Sequence, residues 1–229
     1  MSPQALPNQR TRIKICGLTR EQDVDAAVAA GADAVGFVMY GKSQRYVSPM
    51  RARELARRLP PFVTPVLLFV DEAPQAVLAA CELVRGAMAQ FHGDETTAQC
   101  MESTGQGRYP FMRVARVPLD DATPFDLIEF AHHFPQAQAI LVDAHVEGYG
   151  GGGKAFDWSR LPTSAGFHLV LSGGLTPANV TDGIVQVRPR CKTLAVDVSS
   201  GVEVSKGIKD PEKIHRFVEA VRAADKLLA

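Results

Sequence analysis

Four cysteines, one tryptophan and no net charge are what this 229-residue chain has little of, and each shortage narrows its function. Cys16, Cys81, Cys100 and Cys191 are widely scattered and form no C-x-x-C pair, which excludes a zinc knuckle or a redox dithiol. Reduced thiols in a cytoplasmic protein are the expectation. Lys and Arg number 25, Asp and Glu also 25, so no long-range field draws nucleic acid or an anionic membrane. An anionic ligand must be held by a local site. No run reaches the roughly 18 apolar residues of a membrane span. Met1 to Thr11 is polar, carries prolines and lacks the apolar core of a signal peptide. Residues 1–11 are expected as a flexible tail and 12–229 as one catalytic domain, since no linker or charge run divides them.

What is present is alternation. Runs rich in Val, Ile, Leu, Phe and Ala fall near 12–16, 33–39, 64–70, 87–91, 110–117, 138–143, 167–171 and 193–198, as strands buried on both faces should read. Helical patterns fall near 20–30, 49–59, 74–85, 95–103, 124–133, 177–187 and 211–227. Asp71 to Pro74 and Asp210-Pro211 read as helix entries. After strand six only a short helical turn near Phe156 to Arg160 precedes the next strand. Eight strand–helix repeats favour an α/β chain folded as a single (β/α)8 TIM barrel, with a reduced helix after strand six, over a doubly wound sheet. A barrel of this kind needs about 200 residues, which the chain supplies.

In such a barrel the C-terminal strand ends form the working face. They are Cys16, Phe37 to Tyr40, Phe69 to Asp71, His92, Arg113 or Arg116, Asp143, Ser172 and Asp197. Alternation along strand one places Lys14 and Cys16 inside the barrel and Ile13 and Ile15 towards the helices. The same parity groups Asp143 with Leu141, and Asp197 with Ala195. A buried lysine needs a counter-charge, and Asp197 on the neighbouring strand eight is expected to supply it; a structural role suffices for that pair. Cys16 precedes Gly17, a residue that permits close approach of a ligand. A thiol of pKa about 8.5 there gains thiolate character from a nearby cation or helix N-terminus. Asp143 ends an apolar run and fits either a cap on the next turn or a general acid kept protonated by its surroundings. His92 fits a positioning or a structural role equally. His132 and His133 belong to a helix surface, and the other three cysteines carry no chemistry.

Ser172-Gly173-Gly174 ahead of Thr176-Pro177, and Ser199-Ser200-Gly201 after strand eight, expose backbone N–H groups and hydroxyls. Loops after strands seven and eight are where this fold grips phosphate. A reactive thiol with two phosphate loops points to a small sugar-phosphate enzyme. Gly148 to Lys154 formally fits the nucleotide P-loop G-x-x-x-x-G-K, but Ala155 stands where Ser or Thr should hold magnesium and Pro162 soon breaks any helix. Four consecutive glycines suit a movable lid better. Arg45, in the polar loop after strand two, fits a fork to a substrate carboxylate or a solvated surface position.

Taken in order, these stretches resemble the phosphoribosylanthranilate isomerase family of tryptophan biosynthesis over nearly the whole chain. The matches include Lys14-Ile15-Cys16-Gly17-Leu18-Thr19, Lys42-Ser43 with Arg45-Tyr46-Val47, His92-Gly93-Asp94-Glu95 and Leu141-Val142-Asp143-Ala144. They continue through Lys154-Ala155-Phe156-Asp157-Trp158, Gly173-Gly174-Leu175-Thr176-Pro177 and Val196 to Glu203. The resemblance implies an Amadori rearrangement of N-(5-phosphoribosyl)anthranilate with Asp143 as general acid, Cys16 as general base and no cofactor or metal. It further implies Arg45 at the anthranilate carboxylate and Gly173, Gly174, Ser199, Ser200 and Gly201 at the phosphate; His92 and Asp197 are expected as further substrate-binding residues. The expected partner is a small phosphosugar, with no nucleic acid and no membrane, for a monomer or a homodimer. Gly41 and Gln44 depart from prolines common in the family, and Gly152 from a threonine. An indole-glycerol-phosphate synthase would need a catalytic lysine and glutamate at strand ends, and a metal epimerase more histidines; neither set is in place. A non-catalytic phosphosugar-binding barrel is the remaining alternative.

Overall fold

The eight apolar runs form eight parallel strands because each is buried on both faces, inward against the barrel axis and outward against a helix. In the computed structural model, which describes residues 10–120, 125–144 and 156–228, the strands close in sequence order. They are β1 (Arg12–Cys16), β2 (Ala34–Val38), β3 (Thr64–Phe69), β4 (Met88–Phe91), β5 (Phe111–Val117), β6 (Ala139–Ala144), β7 (Ala165–Leu171) and β8 (Cys191–Val198). Strand β8 pairs with β1 in the register Lys14 opposite Asp197, which closes the ring.

Helices α1 (Glu21–Ala30), α2 (Pro49–Ala56), α3 (Pro74–Leu83), α4 (Thr97–Ser103), α5 (Leu127–His132), α6 (Val180–Val187) and α7 (Pro211–Leu227) cover the outside. Among the described residues between β6 and β7 the helical element is a 3₁₀ turn, Trp158–Arg160, in line with the reduced sixth helix expected there. The glycine stretch with its P-loop-like spacing lies outside the described residues, as do residues 1–9. Thr11, assigned to the tail by sequence, is instead buried, its N–H and Oγ1 donating to Asp225 of α7.

Local chemistry fixes the helix starts. Ser48 accepts from Arg51 N–H ahead of Pro49, Thr96 and Gln99 form a capping box, and Asp210 caps α7 ahead of Pro211. Two expectations need correction. Asp71 does not cap α3; it adopts a positive φ of 48° and accepts from Asp94 N–H, joining the loops after β3 and β4. Residues 177–179 are not yet helical, because Asn179 folds back to accept from Thr176 N–H and donate to the Gly174 carbonyl.

The core has two layers inside the barrel. Val66, Met112, Val114, Leu141 and Val170 fill its middle, and Cys16, Val38, Leu68 and Val70 with Tyr40 form an apolar patch above. A larger shell between strands and helices contains Ile13, Ile15 and Val196. The strand-one parity is therefore as the sequence predicts, with Lys14 and Cys16 inside. Cys191 opens β8.

Candidate active site

Three polar groups meet at the closure of the ring. Lys14 Nζ donates to Asp197 Oδ1 at 2.8 Å, and Ser172 Oγ, at the end of β7, donates to Asp197 Oδ2 at 3.2 Å. All three residues are buried. Burial opposes the Lys14 charge, but the Asp197 carboxylate, with a further contribution from Cys16, outweighs it and holds the ammonium above its ordinary pKa. The predicted pairing of Lys14 with Asp197 is what the structure shows.

Cys16 sits beside this triad at the top of β1. The absence of a side chain at Gly36 on β2 makes its space. A Cβ at Gly36 would stand 2.7 Å from Cys16 Sγ and 3.1 Å from Lys14 Nζ. Burial pushes the Cys16 thiol above its ordinary value, the Lys14 charge pulls it down, and Asp197 adds to the rise. The other thiols are raised by burial to about 12 at Cys81 and Cys100 and about 11 at Cys191. They stay protonated near neutral pH.

Asp143 stands at the end of β6, three strands round the ring from β1. Its Oδ1 accepts from the N–H of Ala144, the last residue of β6, at 2.8 Å. Its Oδ2 stands 3.2 Å from His92 Nε2, and His92 Nδ1 in turn lies 3.2 Å from the Gln90 amide nitrogen. His92 therefore faces the site rather than the helices. Gly173, at φ 79°, gives Asp143 its room, since a Cβ would stand 2.9 Å from Asp143 Oδ1 and 2.7 Å from Ala144 N.

Arg45 is neither solvated nor free. It is buried, and its Nε and Nη2 each donate at 2.8 Å to the two oxygens of Glu203. Its stem covers Gly17, where a Cβ would lie 2.5 Å from Arg45 Cδ, so that glycine admits an arginine rather than a ligand. Glu203 opens a short hairpin that the sequence reading missed, β9 (Glu203–Ser205) and β10 (Ile208–Lys209). From β10 the buried Lys209 donates to Glu203 Oε1 at 2.8 Å and to the Ser199 carbonyl at 2.9 Å. Ser199, at the head of that loop, is thus tied to a buried Arg–Glu–Lys cluster. Gly201 packs directly on the Leu175 carbonyl, which brings the loops after β7 and β8 together. Their proximity is what a shared phosphate grip requires.

Arg113 and Arg116 do not share one role. Arg113 turns outward, donating to the Phe91 and Gly93 carbonyls, and lies over the rings of Phe130 and Phe134. Arg116 is on the inward parity and pairs with Asp94. His132 and His133 are exposed, as expected. Among the described residues no group of three or more His, Cys, Asp and Glu side chains could hold a metal ion. No helix among them is long and apolar enough to cross a membrane.

The family model described as N-(5'phosphoribosyl)anthranilate (PRA) isomerase matches residues 13–220. A Methylibium petroleiphilum protein named N-(5'-phosphoribosyl)anthranilate isomerase is 62% identical over 96% of this chain and 98% of its own. The phosphoribosyl anthranilate isomerase of Thermus thermophilus superposes with a TM-score of 0.79 at 32% identity, covering 93% of this chain and 99% of that one. A further isomerase structure, in complex with reduced 1-(o-carboxyphenylamino)-1-deoxyribulose 5-phosphate, superposes with a TM-score of 0.74 at 37% identity, with the same coverage. Barrel, strand-end residues and relatives agree: the chain belongs to the N-(5'-phosphoribosyl)anthranilate isomerase family.

Proposed function

We propose that this isomerase of tryptophan biosynthesis converts N-(5-phosphoribosyl)anthranilate to its 1-deoxyribulose 5-phosphate product with Asp143 as acid and Cys16 as base. The observation that carries the reading is the placement of one carboxyl and one thiol at well-separated strand ends, both facing the barrel mouth. Asp143, in its acid form, gives its proton to the furanose ring oxygen. The C1–O bond breaks, and the nitrogen lone pair makes the C1=N iminium. The Cys16 thiolate then takes the C2 proton, and the C–H electron pair forms C1=C2 while the iminium π electrons return to nitrogen. The enolamine loses its hydroxyl proton and gains one at C1, which leaves the ketose. Each proton-transfer group contributes about 10²- to 10⁴-fold.

His92 orients Asp143, and the Lys14–Asp197–Ser172 chain lines the sugar side. Gly173, Gly174, Ser199, Ser200 and Gly201 offer backbone N–H groups and hydroxyls to the phosphate. Arg45 meets the anthranilate carboxylate with the guanidinium edge that Glu203 leaves. The relative bound to a reduced product analogue supports a phosphosugar of this class as ligand. A cytoplasmic enzyme fits this biosynthetic role.

The test is loss of substrate fluorescence with phosphoribosylanthranilate formed in situ. Wild type turns over, and Cys16→Ser and Asp143→Asn each lose about 10²-fold or more while circular dichroism stays native. Full activity in either folded variant removes that residue's role. A folded wild type without turnover removes the substrate assignment.

A further inference from the structure

Cys16 has a difficulty as a base, and the structure contains the answer. A thiolate is the reactive form, yet Cys16 is only 4% exposed and faces Val38, Leu68 and Val70. Such a wall disfavours charge. The titratable and charged groups that act on it are Lys14 from its own strand, Asp197 from β8, Lys209 from β10 and Arg45 from the loop after β2. Lys14 is the nearest cation along the chain, and its charge acts on the sulfur more strongly than that of Lys209. It projects from the same face of β1 two residues earlier, and its ammonium shares with Cys16 Sγ the hollow above Gly36. Asp197 fixes it there at 2.8 Å and is itself held on the other oxygen by Ser172.

We propose that Lys14 is the positioning residue of the Cys16 base, its ammonium shared between the Asp197 carboxylate and the sulfur. The inference rests on the reading of Cys16 as base and extends it by naming what supplies the counter-charge. Asp197 acts in two directions at once. It keeps Lys14 protonated and aimed, and it also competes with the sulfur for that charge. At rest Asp197, Lys14 and Cys16 therefore hold carboxylate, ammonium and thiol, which sum to zero in a buried space. Burial and Asp197 together leave the thiol above its ordinary value despite Lys14. Removing either charge moves the thiol in opposite directions. Without Lys14 the thiolate loses its counter-charge, and without the Asp197 charge it receives Lys14 undivided. A lysine that merely filled the barrel would leave the thiol where it is.

The experiment is the pH titration of thiolate ultraviolet absorbance, taken for each protein as the difference from the same protein carrying Cys16→Ser. Lys14→Met is expected to raise the Cys16 midpoint by about 1 to 3 pH units, the effect of one opposite charge nearby. Asp197→Asn is expected to lower it, and Lys14→Arg to stay between wild type and Lys14→Met. The acid limb of kcat/KM should follow the same order. An unchanged midpoint in Lys14→Met overturns the proposal. Where that variant does not fold, an unchanged or raised midpoint in Asp197→Asn overturns it. Activity in Cys16→Ser alone would instead remove the base reading, so the two failures are distinguishable.

Discussion

At the scale of the residue, the glycines in this site matter for what they leave room for. Gly36 is the sharpest case, because a single methyl there would press on both Cys16 Sγ and Lys14 Nζ. Gly36→Ala is expected to destabilise by about 1–3 kcal/mol, the usual cost of overpacking, read by urea unfolding. It should also cost turnover by about 10²-fold, since a base displaced by an ångström loses its alignment. Unchanged kcat in a stable Gly36→Ala protein would show that the thiol position is not critical. Sequence reasoning passed over Gly36 because a glycine inside an apolar strand gives no sign of what stands opposite it. Gln90 was missed for a related reason. Its inward parity is legible, but its contact with His92 depends on side-chain direction.

At the scale of the element, the β9–β10 hairpin ties the loop after β2 to the loop after β8. Arg45 and Glu203 are 158 residues apart in sequence, and nothing in local periodicity pairs them. Three-residue and two-residue strands are also too short to show alternation. The clue that existed was an acidic residue next to a phosphate loop, which makes no sense as a phosphate contact and so asks for a cation. Burial alone would raise the Glu203 carboxyl, but Arg45 and Lys209 outweigh it and hold it below its ordinary value. A carboxyl depressed on folding stabilises the protein fully above its unfolded pKa, about 4.3, and ceases to as pH falls through the lower folded value. Wild type is therefore expected to lose stability to acid across that window more steeply than Glu203→Gln. Parallel denaturation midpoints for the two proteins between pH 5 and about 3 would contradict it. At neutral pH Glu203→Gln should cost about 3–5 kcal/mol, because Arg45 and Lys209 are left buried without their counter-charge.

At the scale of the whole molecule, the barrel was the most legible feature. Every strand must be apolar on both faces, every helix on one, and eight repeats of that contrast survive ambiguity at individual ends. The pairing of Lys14 with Asp197 was expected because β1 and β8 are neighbours in a closed barrel and a buried lysine needs a counter-charge. The half of the site at strand ends was partly readable: parity turned Lys14 and Cys16 inward and grouped Asp143 with Leu141 and Asp197 with Ala195, while the role of His92 stayed open. The half carried by loops was not, and Arg45 shows why. Its sequence context distinguishes neither a free fork from a paired one nor a surface position from a buried one. On the proposed reading, the eight-strand ring also explains how the site would separate acid from base. Strands β1 and β6 stand three strands apart round the mouth, so a sugar between them would present its ring oxygen to Asp143 and its C2 hydrogen to Cys16.

That division of labour is the central claim, and a deuterium isotope effect at C2 of the substrate tests it most directly. Removing the base makes C–H cleavage the slow step, whereas removing the acid makes ring opening slow. The residual reaction of Cys16→Ser is therefore expected to show a full primary isotope effect on kcat/KM, and that of Asp143→Asn an effect near unity. The reverse pattern, or an equal effect in both variants, would contradict the assignment of Cys16 to the carbon-bound proton and Asp143 to the ring oxygen.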